Sequence, residues 1–168
     1  MPWAVPDFEP VVAPTKRLVE AFGERVIFTR FVPSAPPLSG SAWEGYYRLW
    51  PFALEPENAP MWELEPPFDA LAAGRPGVDA GSFSKWGPEL AALAGSSGLV
   101  VCGVSTECCV LSTALAATDA GRPVRVALDA CAGASPELHE AAAAVLASYA
   151  GHVEVVTTEQ VLAAAASV

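Results

Sequence analysis

The sequence predicts an α/β protein, a three-layer α/β/α sandwich around a mostly parallel sheet, and three observations carry that expectation. From residue 88 onward, short apolar runs alternate with longer segments of helical periodicity, the pattern of successive βαβ units. The runs at 98–104 and 124–128 are apolar at consecutive positions, as strands covered by helices on both faces must be. A chain of 168 residues with 52% hydrophobic content has material for one sizeable core, which predicts a single domain over 1–168.

In chain order, VVAPTKRLVEAF at 11–22 places Val11, Thr15, Leu18, Val19 and Phe22 on one helical stripe, and Gly23 follows as a stop. RVIFTR at 25–30 is a β-branched and aromatic run and reads as a buried strand. Residues 32–68 are rich in proline and carry Trp43, Tyr46, Tyr47, Trp50 and Trp62 without clean periodicity, so a long ordered loop with room for short helices is expected. Its aromatics fit a substrate pocket, an oligomer contact or a simple cover over one end of the sheet.

The remainder is regular. GPELAALAG reads as helix, GLVVCGVS as strand, TECCVLSTALAATDAG as helix, RPVRVALDA as strand, SPELHEAAAAVLASYAG as helix, HVEVVTT as strand and EQVLAAAA as helix. In the helix at 136–150, Ser135 is placed as N-cap before Pro136, and Gly151 as the stop. Leu138, Ala142, Val145, Leu146 and Tyr149 form its expected buried stripe.

A net charge of −10 argues against nucleic acid or an anionic membrane surface as partner and leaves small molecules or proteins. No apolar run reaches the length of a membrane span, and MPWAVPDFEP lacks the basic start and apolar middle of a signal peptide, so a cytoplasmic location is expected. Cys102, Cys108, Cys109 and Cys131 do not make a disulfide framework, and an adjacent pair suits tetrahedral zinc poorly. Reduced thiols, no metal and no cofactor are the expectation.

Ligands of open parallel sheets sit at the carboxyl ends of the strands, and the turn at 104–109 lies at such an end. A thiol in the first turn of a helix feels the positive end of the helix dipole and nearby unpaired N–H groups, which favours thiolate. The same N–H groups can receive an oxyanion when a thiolate attacks a carbonyl. Two small buried hydrophobes would leave the same trace in the sequence. His139, within a helix, and His152, at the start of a strand, are poorly placed to pair with either cysteine.

The stretch GVSTECCVLSTALAATDAGRPVRVALDAC resembles the signature of the isochorismatase-like cysteine hydrolases, the superfamily of nicotinamidases, N-carbamoyl amidohydrolases and isochorismatases. The similarity runs from roughly residue 10 to the C-terminus and implies a Rossmann-like sheet, in agreement with the periodicity. It selects Cys109, the cysteine directly before a valine and three residues after a threonine, as nucleophile and leaves Cys108 as packing. It also implies a cis peptide at Val104–Ser105, with the N–H groups of Ser105 and Cys109 forming the oxyanion hole, and a homodimer or homotetramer.

The family's other working residues are an aspartate and a lysine, and here the chain departs from the pattern. The aspartate ends a first strand lying inside the sheet, whereas MPWAVPDFEPVV resembles the segment after that strand. Asp7 is then the candidate general base, and the strands beside the gap should have unpaired edges, unless a longer product, a rearrangement or a partner chain fills it. Ala80 falls on the lysine position, while Lys85 follows five residues later, either reaching the site from a flexible loop or simply solvated. Trp86 beside it and Arg30 at the end of the second strand are candidate substrate contacts, although Arg30 could equally pair with a surface acid. TRFVPSAPPLSGSAW holds no Asp and His cluster, which disfavours a nicotinamidase-type metal site.

The resemblance thus implies a cysteine hydrolase that cleaves a C–N bond of a small amide or carbamoyl compound through a Cys109 thioester. The competing reading is a non-catalytic homologue with the same fold, serving as a binding or assembly module. A redox role for the vicinal pair is weaker, because adjacent cysteines rarely close a disulfide without strain.

Overall fold

The computed structural model describes residues 3–166. The chain divides into two compact units, Met1–Val26 with Phe83–Val168, and Ile27–Ser82.

The larger unit opens with α1 (Glu9–Phe22), whose Val11, Leu18 and Val19 are buried as the spacing requires. Gly23 closes it at φ 57°, a left-handed value that glycine adopts without a Cβ penalty, and its N–H donates to Val19 O.

The elements of the smaller unit come next in the chain. β1 (Phe28–Phe31) pairs in parallel with β2 (Gly77–Ala80), in a register running from Phe28 opposite Gly77 to Phe31 opposite Ala80. Between them lie α2 (Ala42–Leu49), which Ser41 caps by accepting the Glu44 N–H, tight helical turns at Pro51–Leu54 and Pro56–Trp62, and α3 (Phe68–Ala72). The aromatics of this stretch pack on one another: Trp43 lies 5.4 Å from Tyr46 and 5.7 Å from Tyr47, and Phe31 of β1 meets Trp62 at 5.8 Å. β2 escapes sequence reading because it is four residues long and buries only Val78.

In the larger unit, α4 (Pro88–Ala94) precedes the sheet β3-β4-β5, all parallel: β3 (Leu99–Val104), β4 (Val124–Ala132) and β5 (Val153–Val156). A one-turn π-helical segment, Thr106–Val110, leads into α5 (Leu111–Asp119), and α6 (Pro136–Ser148) and α7 (Thr158–Ala165) complete the chain. One sheet face, with Val124, Val126 and Val153, packs on Val110, Ala114, Ala117 and Leu146 from the α5 and α6 side. On the other, Ala127 and Ala130 pack on Leu18 of α1 and Val161 of α7. This is the expected helix, sheet, helix layering. Among the described residues β3 pairs only with β4, and no strand joins the two sheets.

α6 corrects one expectation. Ser135 does cap it, its Oγ accepting the Leu138 N–H at 3.2 Å, but only Ala142 and Leu146 of the proposed stripe are buried. Leu138, Val145 and Tyr149 are 46%, 42% and 43% exposed, because the helix meets the sheet along a narrower seam than the full stripe. Among the described residues no helix is long and apolar enough to cross a membrane.

Leu146→Ala should therefore cost about 3 kcal/mol of stability through the cavity it leaves. Leu138→Ala, about two turns earlier in the same helix and largely in solvent, should stay within about 0.5 kcal/mol. Urea unfolding of both variants tests the burial pattern; equal losses would contradict it.

Candidate active site

The turn that carries Cys108 and Cys109 is positioned by the pairing of β3 with β4. Their register is regular from Leu99 opposite Val124 to Val101 opposite Val126, then jumps so that Gly103 faces Cys131 and Val104 faces Ala132. The extra residues bulge out of β4, and the last two residues of β3 are held against its end. The Val104–Ser105 peptide is cis. Ser105 is extended, with φ −91° and ψ 149°, and its carbonyl accepts the N–H groups of both Cys108 and Val110 at 3.2 Å. The bond from Val110 spans five residues and makes the π turn that presents Cys108 and Cys109 ahead of α5.

Lys85 overturns the solvated reading. It is 4% exposed, its backbone N–H donates to Thr113 Oγ1 of α5 at 2.9 Å, and its ammonium donates to Phe83 O at 2.9 Å. The same Nζ lies 3.7 Å from Cys109 Sγ. Backbone anchoring to α5 thus carries the ammonium to the sulfur although Lys85 lies five residues beyond Ala80, which sits in β2 opposite Phe31.

These contacts determine where the negative charge resides. A hydrogen bond from the Cys108 thiol is the largest influence holding the Cys109 thiol down at about 6; burial opposes it, and the Lys85 charge and hydrogen bond and the Ser105 N–H add to it. Cys108 is pushed the other way, by that same hydrogen bond and by burial, and keeps its proton. Burial lowers Lys85 from its ordinary value, and the neighbouring thiolate pulls it back up. Cys102 is raised to about 11 by burial, and Cys131 is also raised by burial.

The other expected site residues are placed differently. Asp7 is exposed in the turn before α1 and forms no hydrogen bond or ion pair with Cys109 or Lys85. Arg30 is committed within its own unit: Nε and Nη2 bond Asp79 at 2.8 and 2.7 Å, and Nη1 pairs with Glu63. The substrate-carboxylate role expected for Arg30 is therefore replaced by a bidentate ion pair. Trp86 packs against the core beside α5, with the Arg122 guanidinium 5.7 Å above its ring, so its ring is already occupied. Among the described residues no three His, Cys, Asp or Glu side chains are disposed to hold a metal ion.

Three contributors were not legible beforehand. Cys108, expected only to pack, keeps its proton and favours the charged form of Cys109. The buried hydroxyl of Thr106 lies 2.8 Å from His139 Nδ1 in the first turn of α6, so that imidazole reaches the turn rather than the thiol. Glu107 Oε1 accepts the Ala134 N–H at 3.1 Å. The last two depend on which side chains adjoin across the β4–α6 junction, for which short-range sequence patterns carry no signal.

The family model of the isochorismatase domain matches residues 1–160. No curated protein matches the sequence. Among solved structures, a cysteine hydrolase from Pseudomonas syringae pv. phaseolicola 1448A is similar at 21% identity and TM-score 0.78, over 97% of this chain and 83% of that one. An isochorismatase-like hydrolase from Alkaliphilus metalliredigens matches at 18% identity and TM-score 0.70, over 95% and 87%. A Leishmania major protein proposed to be a MAR1 ribonuclease matches at 19% identity and TM-score 0.63, over 89% of this chain but 66% of its own length. At these identities the likeness is one of fold.

Cys109 should react with iodoacetamide along a pH profile with its midpoint near about 6, while Cys102 and Cys131 stay unlabelled at about pH 7. Lys85→Met should move that midpoint upward, since it removes a charge that favours thiolate. An unmoved midpoint, read by mass spectrometry of the Cys109 peptide, would show that the ammonium does not stabilise the sulfur.

Proposed function

Because the chain belongs to the isochorismatase domain family, we propose that it is a cysteine hydrolase cleaving the C–N bond of a small amide or carbamoyl compound. The observation that carries this reading is the Lys85 ammonium 3.7 Å from a Cys109 thiol held down at about 6. A thiolate at neutral pH, next to a buried cation and at the carboxyl end of a parallel strand, is a prepared nucleophile.

In the proposed reaction the Cys109 thiolate adds to the substrate carbonyl, and the oxyanion is received by the N–H groups of Ser105 and Cys109. Collapse breaks the C–N bond and forms a thioester. The departing nitrogen takes a proton from Lys85, whose hold on that proton is weakened by burial. Water then attacks the thioester, its proton returns to the Lys85 amine, and the acid and the Cys109 thiolate are released. Lys85 fills both proton-transfer roles in this scheme, because the exposed Asp7 makes no polar contact with the pair.

Asp7 and the uncharged Ala80 support the second reading, a non-catalytic binding module of the same fold. Turnover separates the two. Screened against aliphatic amides and ureido acids, the protein should release ammonia or an amine. Cys109→Ala should abolish that release, and Lys85→Met should depress kcat far more than it changes KM. Activity surviving in Cys109→Ala would sink the mechanism, and a Cys109 that alkylates no faster than a model thiol would favour the binding module.

A further inference from the structure

Behind the nucleophile turn, on the side of the β4–α6 junction, lies a second set of polar contacts that the proposed chemistry does not use. Thr106 is fully buried, with its hydroxyl bonded to His139 Nδ1 at 2.8 Å. Glu107, the next residue, accepts the Ala134 N–H through Oε1, while its Oε2 is buried without a hydrogen-bond partner. Gly133 makes room for both: a Cβ there would stand 2.9 Å from Glu107 Oε2, 2.9 Å from His139 N and 3.0 Å from His139 Cβ. Two consecutive residues of the turn are therefore fastened to two positions of one junction, with Gly133 leaving the room between them.

The turn needs such fastening. Ser105 supplies no side-chain cap to the π segment, so no local side chain fixes its start. The late register of β4 brings Ala132 opposite Val104, and the junction that begins at Gly133 is thereby carried alongside Thr106 and Glu107. Glu107 does not serve as an acid at the reacting atoms, since one carboxylate oxygen is bonded to Ala134 and the other lies against Gly133.

We propose that His139 and Glu107 are positioning residues that hold the Cys109 turn in register, His139 through the Thr106 hydroxyl and Glu107 through the Ala134 amide. The inference rests on Cys109 being the nucleophile. It assigns to the first turn of α6 a part in catalysis that acts at one remove from the substrate.

The test follows Cys109 alkylation by iodoacetamide across pH, which needs no substrate, alongside thermal unfolding. His139→Ala and Glu107→Ala should each slow the plateau rate about tenfold or move the midpoint by about half a pH unit. His139→Asn, which keeps a polar atom near the Nδ1 position, and Glu107→Gln, which keeps an acceptor for Ala134, should recover the rate to within about twofold. Thr106→Val removes the hydroxyl at constant volume and should reproduce His139→Ala, which covers the case in which that variant does not fold. Leu146→Ala provides the control, with lowered stability and an unaltered profile. Alanine variants whose profile matches the unsubstituted protein would overturn the proposal, as would Asn and Gln variants no better than alanine. A wild-type Cys109 with ordinary thiol reactivity would instead remove the nucleophile reading itself, a separate result visible before any variant is made.

Discussion

An ammonium and a thiolate held 3.7 Å apart, the lysine buried and the cysteine half-buried, set the terms for the rest of this structure. At an effective dielectric of about 20 their attraction amounts to about 4 kcal/mol, whereas removing each ion from water costs several kcal/mol even after relaxation. The pair is therefore close to break-even by itself. It persists because each ion has further partners: Phe83 O for the ammonium, and the Cys108 thiol and Ser105 N–H for the sulfur. The arrangement contributes little to stability and much to the state of one thiol, which is what makes it a candidate functional site.

Supplying those partners places demands on the scaffold. The Ser105 carbonyl accepts two N–H groups, which closes a π turn where an α-helix would otherwise begin and leaves Cys108 and Cys109 together at its edge. The Lys85 main chain is tied to Thr113, in the helix that follows Cys109. Both ends of the ion pair are thus referred to α5, and α5 is seated by Ala114 and Ala117, which are fully buried against the sheet. Small residues at those positions let the helix approach closely, and the geometry of the site follows from that approach.

The family relationship and the chain's own geometry complement each other. Membership of the isochorismatase domain family makes a cysteine the expected centre, and the contacts identify which of two adjacent cysteines carries the charge. The lysine is the instructive departure. Sequence register puts alanine at its place, yet the irregular segment between β2 and α4 delivers the ammonium of Lys85 to the sulfur. A long flexible side chain whose backbone is anchored elsewhere tolerates a shift of several residues in a way that a short aspartate does not.

The sequence by itself determined the α/β class, the parallel strands β3, β4 and β5, the helices between them and the identity of the candidate nucleophile. These rest on local periodicity, on end signals such as Ser135 and Gly23, and on a contiguous motif, all of which operate within a few residues along the chain. Only the tertiary structure decided that Arg30 is spent on Asp79 and Glu63, that Lys85 is buried beside Cys109, that Leu138, Val145 and Tyr149 are exposed, and that His139 and Glu107 bear on the turn. Those outcomes depend on which of several nearby charges or faces each side chain meets once distant segments pack. Such a choice is made by burial and by the satisfaction of polar groups across the fold, and neither is written in the spacing of residues along the chain.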